Sequence, residues 1–108
     1  MVDYEVQERD WKTFRKHIGT WQENYMEALL DQYQEIANDH TIAPSKRFWK
    51  LCDRIKKDAK LPGVIIEMSR SLMIHNLLNR YDSSAITLND LKDFTPELQA
   101  RIKEIVES

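Results

Sequence analysis

Glycine and proline are scarce in this chain, two and three residues among 108. Average usage is roughly 7% and 5%, so collagen-like, linker-like and low-complexity chains are excluded. The single cysteine, Cys52, excludes an internal disulfide framework and a cysteine-only zinc site. With glycines only at 19 and 63, no phosphate-cradling glycine loop can form. No run approaches the ~18 apolar residues of a membrane span. The stretch from Met1 to Trp11 is charged from Asp3 onward, unlike a secretory signal. No segment alternates with the period of two that strands require. With 42% hydrophobic and 31% charged residues, the expectation is one soluble, cytoplasmic all-α domain over residues 1–108. A compact bundle of four to five helices fits that length.

What is present is helical periodicity. Trp11, Phe14, Ile18, Trp21, Tyr25, Ala28, Leu29, Tyr33 and Ile36 step by three or four residues and share one stripe. Tyr4 falls on the same stripe, with Asp3 as a plausible N-cap. Read from Tyr4 to Asn38 the helix is about 50 Å long at ~1.5 Å per residue. A domain of this size has a radius of gyration of about 13 Å. The helix therefore overhangs its domain, and either Gly19-Thr20 breaks it or a second chain covers it.

Pro44-Ser45 opens a second helix whose apolar face is Phe48, Leu51, Cys52, Ile55 and Ala59. Lys60-Leu61-Pro62-Gly63 marks a turn. A third helix is expected from Val64 to Tyr81, apolar in nearly every direction except the sector of Ser69, Asn76 and Arg80. A helix of that kind is buried among its neighbours. Glu67, Arg70, Ser71 and His75 would then form a buried polar cluster, read first as an internal packing network. The sharper reading is an acid–base site on Glu67 and His75. Thr87-Leu88-Asn89-Asp90 starts a short helix with a capping box, stapled by Ile86 and Leu91. Thr95-Pro96-Glu97 starts the last one.

The net charge of −2 hides segregation. Residues 46–60 carry seven basic and two acidic side chains, leaving nine basic and sixteen acidic elsewhere. Lys46, Arg47, Lys50, Arg54 and Lys57 share one face of the second helix. Glu23, Glu27, Asp31 and Glu35 form an acidic row on the first. A short connection packs these helices antiparallel, so intrachain complementarity and solvation explain the pattern first. A phosphate-binding face with Trp49 as a stacking platform is the alternative. A pI of about 5.9 weighs against it. The outline of a helix–turn–helix fails too, because Val64-Ile65-Ile66-Glu67-Met68 is a core surface and not a base-reading one.

Chemistry is sparse. No glutamate has a histidine three residues on, as a di-metal bundle needs, and His17, His40 and His75 are scattered. Cys52 reads as a small buried hydrophobe. No catalytic, metal or cofactor residues are assigned. The aromatics of the first helix (Trp11, Phe14, Trp21, Tyr25, Tyr33) read as core and as a candidate interface, since Trp and Tyr are enriched in contact surfaces.

Three stretches carry a resemblance: Tyr4-Glu5-Val6-Gln7-Glu8-Arg9-Asp10-Trp11-Lys12-Thr13-Phe14-Arg15, Pro62-Gly63-Val64-Ile65-Ile66-Glu67-Met68-Ser69-Arg70-Ser71, and Ile86-Thr87-Leu88-Asn89-Asp90-Leu91-Lys92-Asp93-Phe94. With them the chain resembles a family of short, uncharacterised helical proteins of Gram-positive bacteria. Some members carry a multidrug-transporter label, which does not transfer to a chain without a membrane span. The resemblance implies no substrate, cofactor or catalytic residue. The expected function is a protein–protein interaction or structural module, with a homodimer through the first helix as one form. Nucleic-acid binding through residues 46–60 is the alternative.

Overall fold

Apolar residues at three- and four-residue steps build one unbroken helix, α1 (Glu8–Ala37), in a computed structural model that describes residues 5–65 and 68–108. Gln7 precedes it as N-cap, and Glu8 and Asp10 sit in the first turn, where the dipole favours negative charge. The expected start at Asp3 and Tyr4 lies outside the described residues. Residues 5–7 are not helical. Gly19 does not break the helix: it is exposed, nothing lies within 4 Å of where a Cβ would sit, and its propensity deficit is outvoted by the turns on either side. Thirty residues span about 45 Å at 1.5 Å each, within a molecule 52 Å along its longest axis. The radius of gyration, 17.0 Å, exceeds the about 13 Å of a compact chain of this size.

The overhang is covered by α2 (Pro44–Asp58), which runs back along α1. The Arg47 guanidinium closes the turn, donating from Nη1 to the Ala37 carbonyl at 2.6 Å and from Nε to the Ile42 carbonyl at 3.0 Å. It thereby satisfies an orphan carbonyl at the end of α1. Further along, Arg54 Nη2 donates to Gln32 Oε1, and Gln22 Nε2 donates to the Val64 carbonyl at 2.6 Å. With the Tyr33–Asp58 hydrogen bond, these contacts put residues of the two helices whose numbers add to about 87 side by side. The expected antiparallel pairing is present.

The core sits at the other end. Trp11, Phe14, Ile18 and Trp21 of α1 pack on Met73 and Leu77 of α3 (Met73–Asp82), on Ile86, Leu91 and Phe94, and on Leu98 and Ile102 of α4 (Pro96–Glu107). The molecule is thus a globular head around residues 11–21 with a two-helix arm beyond it. Its regular elements are four α-helices and one 3-10 turn at Leu88–Leu91, with no strand among the described residues.

The third helix needs correction. It begins at Met73, not Val64, and the described residues between 64 and 72 are turn or irregular. Pro62-Gly63 followed by β-branched Val64 and Ile65 is a poor helix opening. The tertiary reason is clearer: Arg80 Nη2 donates to the Ile65 carbonyl at 2.7 Å. In one continuous helix these residues would lie about 22 Å apart. Ile65 instead lies against the Arg80 side chain of α3. The stripe that α3 buries holds Met73, Asn76, Leu77 and Arg80, so the sector expected to be polar and solvated is the inner one.

The end of the chain follows its signals. Thr87 and Asp90 form a reciprocal capping box, and Ile86 and Leu91 are both buried. Thr95 caps α4, its hydroxyl accepting from the Leu98 amide at 3.3 Å. Beneath it the buried Asp10 carboxylate accepts from the Thr95 amide at 2.7 Å and from its hydroxyl at 2.6 Å, joining the two ends of the chain.

Candidate interaction surface

The arm has two unlike flanks. On an α-helix, residues advance by about 100°. The line along which α2 meets α1 is marked by Arg47, Arg54 and Asp58, and Phe48 and Ile55 lie about a quarter turn to one side. Lys46, Lys50 and Lys57 lie a quarter turn to the other. On α1 the contact line runs through Tyr25, Leu29, Tyr33 and Ile36, and Met26 and Leu30 lie on the same side as Phe48. One face of the arm is therefore apolar across both helices.

That face is open. Phe48 is 62% exposed, Leu30 52% and Ile55 48%, and Trp49 beside them is 61% exposed. Phe48 and Trp49 meet edge to face with centroids 5.0 Å apart. Between the helices a groove of about 230 Å³ is lined by Met26, Leu30, Ile55, Ala59 and Val64, with Leu29, Tyr33 and Asp58 completing it. Asp58 is the one residue of α2 that is buried. Its Oδ2 accepts from the Tyr33 hydroxyl at 2.7 Å and from Arg54 Nε at 2.8 Å, and the Arg54 guanidinium lies 5.8 Å from the Tyr33 ring centre. Burial first, then the hydrogen bond and charge of Asp58, push the Tyr33 hydroxyl up to about 12. The polar triad, extended by the Arg54–Gln32 hydrogen bond, fastens the helices together at the groove wall.

The expected site residues are distributed differently. Trp11, Phe14 and Trp21, read both as core and as a candidate interface, are buried in the head, as the core reading has it. Tyr25 packs against Gly63 and Tyr33 against Asp58. The apolar face of α2, including Cys52, was expected in the core. Cys52 is only half-buried and Phe48 and Ile55 are exposed, because α2 packs on α1 and stands off the head. Of the basic face, Arg47 and Arg54 turn toward α1, leaving Lys46, Lys50 and Lys57 exposed. The acidic row Glu23, Glu27, Asp31 and Glu35 is exposed throughout and does not face α2.

The expected buried polar cluster is not one. Arg70 is exposed, paired with Glu8 at 2.5 Å and set over the Trp11 ring. Ser71 and His75 are exposed, and Glu67 lies outside the described residues. With the helix starting at Met73, the register that grouped them no longer holds. The buried polar residues are Asp10, Asp58, Asn76, Arg80 and Thr95. Sequence spacing gave no sign of Asp10, whose partner is 85 residues away, and for Asp58 it offered Arg54 four residues back but not Tyr33, 25 residues away. Met26 and Leu30 did carry a signal, an i,i+4 pair of large apolar residues off the main stripe of α1.

Among the described residues no three His, Cys, Asp or Glu side chains come together to hold a metal, and no helix is long and apolar enough to cross a membrane. No family model matches the chain, and no match is found among curated proteins or solved structures.

Proposed function

We propose that this protein is a protein–protein interaction module, acting in the bacterial cytoplasm through the apolar face of the α1–α2 arm. One observation carries the reading: among the described residues five of the eight exposed large hydrophobics, Met26, Leu30, Phe48, Trp49 and Ile55, lie on the arm, four of them on one side, while Ile65, Met68 and Leu72 lie on the segment leading into α3. Scattered exposed apolar residues are ordinary, but a contiguous patch rimmed by charge marks a contact surface. The patch includes Phe48 and Met26, of the residue types enriched in interfaces, with Trp49 against Phe48 at its outer edge. A phosphate-binding role for the arm has weaker support, since two of its five cations are spent on α1 and pI is about 5.9.

A photo-crosslinking residue at position 48, in the cells that make the protein, tests this directly. Covalent protein adducts are expected there and not at Lys103, an exposed position on α4. Equal yields at the two positions would overturn the reading. Nuclease-sensitive adducts at 48 would favour nucleic acid instead.

A further inference from the structure

We infer that the partner on this face is a second copy of the chain, the two arms packing face to face as a parallel four-helix bundle with both heads at one end. The inference rests on the interaction reading above and adds the occupant and its orientation.

Self-complementarity of charge supplies the first argument. The outer rim of α1 carries Glu23 and Glu27, and the outer rim of α2 carries Lys56; all three are exposed. Neither rim reaches the other within one chain, because both point away from the seam between the helices. A twofold axis parallel to the helices lays α1 of one copy over α2 of the other and preserves height along the arm. Residues whose numbers add to about 87 share a height, which places Glu27 within about 6 Å along the axis of Lys56 of the other copy, inside the reach of the two side chains. An axis across the helices would instead lay α1 on α1 and α2 on α2, setting acidic rim beside acidic rim and basic beside basic, which is unfavourable. An isologous contact of the first kind uses both rims twice.

Size supplies the second. The paired helices present a face about 24 Å long and 20 Å wide. With side-chain relief this reaches the ~600 Å² per partner at the low end of specific interfaces. The head does not obstruct it: Phe14, Ile18 and Trp21 hold the core on a side of α1 roughly 130° away from Met26 and Leu30. Each copy offers both a ridge, Phe48 and Ile55, and the groove beside Leu30. A four-helix bundle is the ordinary way for two such hairpins to bury their stripes.

Sedimentation of the purified full chain from about 1 to 200 µM tests the inference, the range in which an interface of this size associates. The mass is expected to double across it. Phe48→Glu and Ile55→Glu are each expected to weaken association at least about a hundredfold, with helix content by circular dichroism unchanged because both side chains are exposed. Glu27→Lys or Lys56→Glu alone should weaken it about three- to tenfold, and the two together should restore it. A monomer throughout, a dimer insensitive to Phe48→Glu, or a charge exchange that fails to recover would each overturn the inference. A monomeric chain that still crosslinks another protein through position 48 would leave the interaction reading standing. A chain that does neither removes both.

Discussion

At Asp10 a carboxylate with no exposed surface meets the backbone and hydroxyl of Thr95, 85 residues along the chain. Truncation leaves the Thr95 amide unsatisfied in a dry site, which costs about 2–3 kcal/mol. Asp10→Ala should therefore lower Tm by roughly 8–20 °C. Arg70→Met removes a pair that looks as good in distance, but both members are about half exposed, so its cost stays within about 1 kcal/mol. Thermal melts of the two variants side by side check the contrast. Tyr33 offers a different readout. The folded chain holds its phenolic proton more tightly than the unfolded chain, whose tyrosines titrate near 10, because burial and Asp58 favour the neutral form. Its contribution to stability is complete below pH 10 and is lost as pH rises through about 12. Absorbance titration should show one tyrosine ionising late. Asp58→Asn should bring it back toward 10.

Among the helices, the two glycines should respond in opposite directions. Gly19 lies in the exposed interior of α1 with free space around it, so Gly19→Ala should add about 0.5–1 kcal/mol. A methyl at Gly63 would overlap the Tyr25 ring, and Gly63→Ala should remove about 1–3 kcal/mol. Urea melts measure both. The elements best legible in the sequence were those with local grammar: the α1 stripe, Pro44, the Thr87 box and the Thr95 cap all depend on residues within four of each other. The start of α3 was not legible, because Ile65 leaves the helix to meet Arg80 fifteen residues on. The same long-range contact hid which face of α3 is buried. On α2 the apolar stripe was plain from spacing, but spacing shows only that a stripe needs covering. Where it sits relative to the head is decided by the short turn closed by Arg47.

For the whole molecule, stability should be graded from head to arm. The head buries a contiguous core, whereas α2 buries only Asp58. Regions with few buried apolar contacts open at lower free energy. In hydrogen exchange on dilute protein, amides of α2 and of the far end of α1 should exchange before those of α3, α4 and residues 11–21. Uniform protection along α1 would contradict this grading.

Because α1 runs uninterrupted from the head into the arm, the two share a rotational phase as well as a shaft. Two residues inserted near Gly19 would turn the arm by about 200° and swing its apolar side to the opposite azimuth of the head. Seven would lengthen the shaft by two turns and rotate it only about 20°. Variation in the length of this helix is thus constrained to steps that preserve azimuth, and it is the direction in which the arm points, more than its reach, that the helix encodes.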